Sequence, residues 1–529
     1  MRRMIAVLLP LALGIAPSAQ GGDTPDAGAG RYTAPTLHGE LRLSLAEAIS
    51  MGLENNLGIE IERHAPLIAH EDHEASWGSY DPEWVTEFGY SDDRQLNSSS
   101  LIGPTTPEFF QKVTGGEGGI TGMIPWLNTQ LSALVGTEKT ETNAQFQELS
   151  PDFTTGLTLI GRQPLLRGLI WNEPWTAVKT TGVLYRVSLE ELRRELMDTV
   201  TQIEGGYWAL IADEERVNVA LKSLETAQAL LEQVTTQYQV GVVSKVEIAE
   251  AEAGVAARDF ELIRAQNRYR DRMDRVINLV LGPNLTADSR ISIEPTDRPD
   301  DYIVYDIDVE QAVQIAFHNR PELSIAQREI DRLELNLRFA KTQRLPQFDI
   351  EARWAPNGRA GQANPDGGSP PLDDLVGNWG DSFDLQSNSW GVRGILTVPI
   401  GNVAGRHNVS KAELELRRAH VQKKRVEQDI ILNVRAAARD LTSSQEGIEA
   451  AERRQVAATE QLRAEEIRLE YGESTPFDVL LREQDLVAAD QEFIEAVEVY
   501  RSSVTGLDRA QGTILRNRNI DIEQAARLR

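Results

Sequence analysis

Two tracts of the chain are long enough to form helices of unusual length, and each contains one abrupt interruption. Residues 176–282 and 408–510 hold few glycines and a single proline, which favours helix over most of their length. The interruptions are "YQVGVVSKVEI" and "YGESTPFDVL", centred on Gly241 and Gly472. Glycine adopts backbone conformations that other residues resist. Each tract is therefore predicted to be a long helix, a break and a shorter return helix.

The lengths of these predicted helices agree with one another. Segments 173–240 and 404–471 each have 68 residues, which is about 100 Å of helix at 1.5 Å per residue. Shorter helices are predicted at 44–78 and 308–342, and each could stack on a return helix beside a long one. Apolar residues in the second return helix recur every seven positions, the pattern of a coiled-coil seam: Val479, Leu486, Phe493, Tyr500 and Leu507.

The order of these segments indicates an internal two-fold repeat. Ala48 and Asn55 in "LSLAEAISMGLENN" match Ala312 and Asn319 in "IDVEQAVQIAFHNR". Each copy continues with a strand pair, 82–164 in the first and 346–400 in the second, and then a helical hairpin. The predicted organisation is a signal peptide (1–20), a linker (21–42), a first repeat (43–282), a linker or equatorial segment (283–306), a second repeat (307–515) and a tail (516–529). An extra stretch of the first copy, within 95–150, is strand-like and is predicted to extend the strands or form an outer hairpin.

The N-terminus predicts export from the cytoplasm. "MRRMIAVLLPLALGIAPSAQG" has two arginines, an apolar run and then small residues, as secretory signal peptides have. No later segment is apolar enough for a spanning helix. An exported chain of this kind is either soluble or inserted in an outer membrane as a β-barrel.

The strand segments favour the barrel. "WVTEFGYSDD", "FDIEARWAP" and "SWGVRGILTVPI" tend to alternate in polarity, and most tryptophans lie in or beside such segments, as in the aromatic girdles of membrane barrels. Ordinary aromatics of a β-core are the alternative. Four strands per chain leave unpaired edges that lipid does not tolerate. Closure needs several chains, and three chains giving twelve strands is the geometry that we favour. The predicted fold is mixed α and β, a trimeric barrel continued by an α-helical coiled-coil tunnel.

Several features of the chain occur together in a known family: the signal peptide, the repeat, the strand ends "QPLLRG" and "VPIGNVAG", and the two helix breaks. On these features the chain resembles the TolC-like outer-membrane efflux family over about residues 40–515. The resemblance implies a homotrimer in outer-membrane lipid, with its helical tunnel extending into the periplasm. It implies a passive exit duct of a tripartite efflux pump or type I secretion system. The implied partners are a periplasmic adaptor protein and an inner-membrane transporter.

The resemblance also assigns candidate residues to the two breaks, which become the periplasmic tips. Val240, Gly241 and Val242 resemble the family's adaptor-contacting tip, whereas the second tip keeps only Gly472.

Asp478 takes the place of an acidic pore ring, with Leu481 where a second ring would lie; the alternative role for Asp478 is to cap the return helix. Glu247 takes the place of an acidic gating residue. Its usual arginine partner corresponds to Ser474, so the link is absent or uses Lys245 or Arg482.

Composition argues against several other functions. A net charge of −27 disfavours nucleic acid as a partner, and the absence of cysteine excludes thiolate metal sites and disulfides. "HEDH" (70–73) lacks metal-binding spacing. "GGEGG" (115–119) lacks the context of a phosphate loop and is predicted to be an ordinary loop. We therefore expect no enzymatic activity, no metal and no cofactor. The alternative function is that of a coiled-coil structural or surface protein of the cell envelope without channel activity.

Overall fold

The computed structural model describes residues 38–96, 108–241, 243–286, 289–298 and 305–520. The predicted signal peptide, residues 1–20, and the predicted tip residue Val242 lie outside these ranges. Within the described residues the helices are α1 (Leu45–Asn55), α2 (Leu57–Ser76), α3 (Glu173–Gln239), α4 (Lys245–Leu281), α5 (Val309–Asn319), α6 (Pro321–Gln343), α7 (Val403–Glu470), α8 (Pro476–Gln511) and α9 (Ile514–Asn517).

The longest helices, α3 and α7, each end at a turn and pack against the helix that follows. They have 67 and 68 residues, about 100 Å of helix. Asn172 caps the start of α3 by accepting a hydrogen bond from the Trp175 amide. Among the described helices none combines the length and the apolar character that crossing a membrane requires.

The shorter helical segments are each divided in two, which corrects the prediction of continuous helices over 44–78 and 308–342. Asn56 lies in extended conformation between α1 and α2, and its side chain accepts hydrogen bonds from the first amides of α2. Arg320 is likewise extended, because Pro321 follows it and disfavours helical conformation at the preceding residue.

Each return helix meets a short helix end to end. Gly282, after α4, lies against Asn55 so closely that a Cβ at this glycine would stand 1.7 Å from the Asn55 carbonyl oxygen. Gly512, after α8, lies against Asn319, whose carbonyl carbon would stand 2.8 Å from such a Cβ. Both glycines have positive φ. Glycine is required at the two junctions because any side chain would force the stacked helices apart.

Six of the described helices form one layer of four columns, and the short helices α1, α5 and α9 pack against this layer. The column of α4 with α2 packs against α3, α3 packs against the column of α8 with α6, and that column packs against α7. Apolar side chains fill the contacts, with Leu196, Ile203 and Val276 fully buried in the largest cluster. The helices α2, α3, α4, α6, α7 and α8 therefore build a wall about 100 Å tall and one helix thick.

The strands of the main sheet number six, which corrects the predicted four per chain. They are β2 (Glu83–Leu96), β3 (Glu108–Ile124), β4 (Thr129–Thr142), β5 (Leu149–Pro164), β7 (Gln347–Ala363) and β8 (Ser387–Thr397), paired antiparallel in the order β2-β3-β4-β5-β7-β8. The extra stretch of the first copy supplies β3 and β4. It neither lengthens other strands nor leaves the sheet, because both strands pair along most of their length.

Two segments interpreted as linkers pair with each other. β1 (His38–Leu43) and β6 (Arg290–Pro295) form a parallel two-stranded sheet. Leu43 and Ile293 are buried against the helical core near Tyr207. Alternation of apolar residues over these few positions is a weak signal in the sequence, and the pairing depends on the helical surface that covers it.

Candidate functional site

The six-stranded sheet has one apolar and one polar face. Strand register places large apolar side chains on a common face from β2 through β8: Trp84, Phe88, Ile120, Leu131, Val135, Leu159, Trp354, Trp390, Val392 and Leu396. Phe88 is 84% exposed and Trp390 76% exposed. A continuous exposed apolar surface of this extent indicates contact with lipid or with another protein.

The opposite face is charged and concave. A recess of about 720 Å³ lies against it, lined among others by Glu87, Glu117, Glu138 and Arg353. Glu87 and Glu117 stand directly opposite each other on β2 and β3, an arrangement of like charges that costs stability in a sheet. The glycines of "GGEGG" lie on β3 beside them, so this sequence is a strand and not the expected loop.

Ion pairs occupy the other half of the polar face. Arg359 pairs with Asp152 at 2.6 Å, and Arg393 pairs with Glu351 at 2.7 Å. Arg162 donates through Nε to the buried Asp349 at 3.0 Å. The strands β5, β7 and β8 therefore carry largely compensated charge, and β2, β3 and β4 carry the uncompensated carboxylates.

The sheet ends in two open edges. Every residue of β2 and nearly every residue of β8 is exposed, and within the described chain neither strand has a partner on its outer side. An open edge presents unpaired amide and carbonyl groups that bond readily to another strand. Because five antiparallel pairings separate them, β2 and β8 run in opposite directions.

At the other end of the molecule, the two helical hairpins turn at Gly241 and Gly472. These glycines have φ values of +80° and +77°, the region that residues with a Cβ rarely adopt. Exposed apolar side chains surround the turns: Val240 and Val246 at the first, Tyr471 and Phe477 at the second. Sequence reasoning selected Val240 but missed the other three, which a search for apolar residues flanking the breaks would have found.

The two predicted pore carboxylates cap their return helices. Asp478 accepts hydrogen bonds from the Thr475 hydroxyl at 2.7 Å and the Thr475 amide at 3.3 Å. Glu247 accepts corresponding bonds from the hydroxyl and amide of Ser244. Both are capping boxes, which stabilise the first turn of a helix. Both side chains remain partly exposed.

Neither alternative partner for Glu247 contacts it within the described chain. Arg482 pairs with Asp485 at 3.2 Å, and the Ser474 hydroxyl donates to Glu465. Lys245 forms no ion pair with Glu247 among the described residues. The capping box with Ser244 is thus the one polar arrangement in which Glu247 is found here.

A polar contact that the sequence reasoning missed joins the two hairpins above the tips. Glu483 of α8 is 4% exposed. It accepts hydrogen bonds from Arg258 of α4 through Nη2 at 3.0 Å and Nε at 3.2 Å, and another from the Ser223 hydroxyl of α3. Leu469 and Leu480 of the second hairpin pack nearby on Leu230 and Val234. Three helices of both hairpins therefore meet at one buried carboxylate.

A second charge cluster, partly buried, lies where α6 begins. Arg509 donates to Asp198 at 2.6 Å and to Glu322 at 3.1 Å, and Arg320 lies 3.0 Å from Glu322. Burial alone would raise the pKa of the Glu322 carboxyl, but the charges of Arg320 and Arg509 outweigh it and hold that pKa below its ordinary value. Burial lowers the pKa of Arg320.

The chain is similar to known proteins in both sequence and fold. The family model described as "Outer membrane efflux protein" matches residues 312–513. This part of the chain, 202 of its 529 residues, is similar to the outer membrane efflux protein family. The sequence-based recognition of that family and the predicted outer-membrane location are thereby confirmed. No curated protein sequence matches the chain.

Solved structures share the fold over nearly the whole chain. The CmeC outer membrane channel of Campylobacter jejuni has a TM-score of 0.63 and 16% identity, with 91% of this chain and 90% of that chain covered. The Vibrio cholerae outer membrane protein VceC has a TM-score of 0.60 and 16% identity, covering 88% and 96%. The open state of the Neisseria gonorrhoeae MtrE outer membrane channel has a TM-score of 0.59 and 15% identity, covering 89% of each chain.

Proposed function

We propose that the chain is one subunit of a homotrimeric exit duct in the outer membrane, serving a tripartite efflux pump or a type I secretion system. In this proposal the duct is passive. It receives substrate from an inner-membrane transporter through a periplasmic adaptor protein. The family match supports efflux, and the chemistry of the duct requires no cofactor.

One observation carries the proposal: a sheet with an exposed apolar face and two open edges continues into a helical wall about 100 Å tall. The apolar face suits lipid, and the edges suit pairing between copies, because lipid does not tolerate unpaired strand edges. The wall has the height needed to extend through the periplasm. Closure of the sheet by further copies would bring the charged face to the inside.

The tips are the proposed docking and gating region. The adaptor is proposed to contact the tips at Val240, Gly241, Val242 and Gly472. The exposed side chains of Val246, Tyr471 and Phe477 are proposed to contribute to the same contact. Asp478 and Glu247 are proposed to line the entrance, where rings of carboxylates would concentrate cations. Their capping-box contacts are compatible with this, because both side chains remain partly exposed.

The test is fractionation and assembly of the full chain expressed in a Gram-negative host. We expect it in the outer-membrane fraction as a trimer that dissociates only on heating in detergent. Purified trimers should conduct ions in planar bilayers. A folded monomer in the soluble or surface fraction would reject the duct and favour the coiled-coil structural protein instead.

A further inference from the structure

The sheet and the helical wall of one chain have matching widths. Strands lie about 4.8 Å apart and tilt by about 40° in membrane barrels, so each occupies about 6 Å of circumference and six occupy about 38 Å. Helices pack at about 8–10 Å, so the four columns occupy about 32–40 Å. The expected four strands would have spanned only about 25 Å. The wall therefore passes from helix to sheet without narrowing.

The inserted strands β3 and β4 supply one third of the width of the sheet. They lie in the middle of the sheet, between β2 and β5, and continue both of its faces. Ile120, Leu131 and Val135 extend the apolar surface, while Glu117 and Glu138 extend the polar one. Removing the pair would bring β2 directly against β5 and shorten the arc by one third.

We infer that three copies close an eighteen-stranded barrel as wide as the helical tunnel, so that the duct admits polymer-sized cargo as well as small solutes. This rests on the proposed function, because it takes the trimeric duct as given. The even strand count leaves β2 and β8 running in opposite directions, so β8 of one copy can pair antiparallel with β2 of the next. Barrels of 16–18 strands enclose an aqueous channel.

The dimensions define the class of cargo. Eighteen strands give a circumference of about 110 Å and a diameter near 36 Å between backbones, against about 24 Å for twelve strands. Side chains on the inner face leave about 25 Å. Several inner positions on the inserted hairpin are glycine, namely Gly115, Gly119 and Gly136, which keeps this part of the lumen open. An extended or partly folded polypeptide fits such a passage.

Electron cryomicroscopy of the purified full chain tests the strand count directly. We expect eighteen strands around the axis, with β2 of each copy beside β8 of its neighbour. A ring of twelve strands with β3 and β4 outside it would overturn this inference while leaving the duct intact. Absence of any closed ring would reject the inference and the proposed function together.

A chemical measurement tests the lumen width independently. The chain has no cysteine, so Thr158→Cys on the polar face of β5 introduces a unique thiol, and Leu157→Cys on the apolar face is its matched control. The probe is a maleimide carrying poly(ethylene glycol) about 20 Å across, applied from outside intact cells, with a small maleimide as reference. We expect Thr158→Cys to react with both, and Leu157→Cys to be protected from both by lipid.

The decisive comparison uses a narrowed variant in which residues 97–147 are replaced by an Asn-Gly turn. In that background Thr158→Cys should still react with the small maleimide. Its reaction with the large maleimide should be at least ten times slower than its reaction with the small one. If the large reagent is excluded equally from the full chain, the wide lumen is disproved. Should the variant fail to assemble, the large-to-small rate ratio in the full chain decides alone: a ratio below one tenth contradicts the inference.

Discussion

The helical wall and the sheet differ in the solvent exposure of their apolar residues. Leu196, Val200 and Ile203 of α3 are fully buried within one chain, whereas Phe88 and Trp390 of the sheet are mostly exposed. The helical hairpins thus complete much of their packing alone, and the sheet depends on surroundings that a single chain lacks. Substitutions in the sheet should therefore act on insertion and assembly, and substitutions in the hairpins on local stability.

The largest effect is expected from a charge on the apolar face of the edge strand. Val392→Lys should cost about 2–4 kcal/mol per copy, the range for a lysine at the bilayer midplane. Ser389→Lys, on the polar face of the same strand, is the matched control and should be nearly neutral. The amount of heat-sensitive trimer in the outer-membrane fraction, quantified by gel, reports the effect of both substitutions. Equal losses would mean that the two faces do not differ in environment.

Breaking the buried contact between the hairpins should have the next largest effect. Arg258→Ala leaves Glu483 buried without its cation, which typically costs about 3–5 kcal/mol within each chain but leaves the sheet untouched. Hydrogen exchange should accelerate in α4 and α8 near the tips, while β2 and β8 keep their protection.

The double replacement Arg258→Met with Glu483→Leu should restore much of the lost protection, because no unpaired charge remains. Unchanged exchange in Arg258→Ala would show that the contact contributes nothing to hairpin association.

Smaller, opposite effects are expected from alanine at two kinds of glycine. Gly241→Ala and Gly472→Ala should each destabilise a turn by about 1–2 kcal/mol, because both positions have positive φ. Gly447→Ala, within α7 where a Cβ meets no atom within 4 Å, should stabilise by about 0.5–1 kcal/mol. Hydrogen exchange of the tip and mid-helix peptides reports both, and effects of the same sign would refute the assignment.

The smallest change in stability but a measurable change in conduction is expected from Asp478→Asn. Asparagine can still accept the Thr475 hydrogen bonds, so stability should move by less than about 0.5 kcal/mol. In the proposed trimer, removing one carboxylate per copy from the proposed entrance should lower cation selectivity and block by trivalent cations in planar bilayers. Glu247→Gln is the companion variant at the other tip. Unaltered selectivity in both would leave capping as their role.

The helices could be predicted from the sequence because the patterns that indicate them are local. Few breakers, heptad spacing and single glycines predicted the long segments and the breaks at Gly241 and Gly472. The strand count was not readable, because β3 and β4 lie in a stretch with no counterpart in the second copy, and "GGEGG" has the composition of a loop. Its glycines are tolerated in β3 since neighbouring strands bond to their backbones on both sides.

The candidate site was predictable only in part for a related reason. Asp478 and Glu247 could be selected by position, and their capping contacts follow from residues three apart. Glu483, Arg258 and Ser223 come from three helices, and only the packing of the hairpins brings them together. Contacts between such distant positions have no local pattern in a single sequence.

The open edges of the sheet also bear on how the protein is made. An exported copy that has not yet found its neighbours carries two unsatisfied strand edges beside an exposed apolar face, the combination that drives aggregation. Before assembly, productive association with other copies competes with aggregation. The balance between the two depends on copy number and on chaperones that bind unfolded chains. A slow supply of subunits and a holding chaperone would both favour assembly, because each limits contact between copies whose strand edges and apolar face are still uncovered.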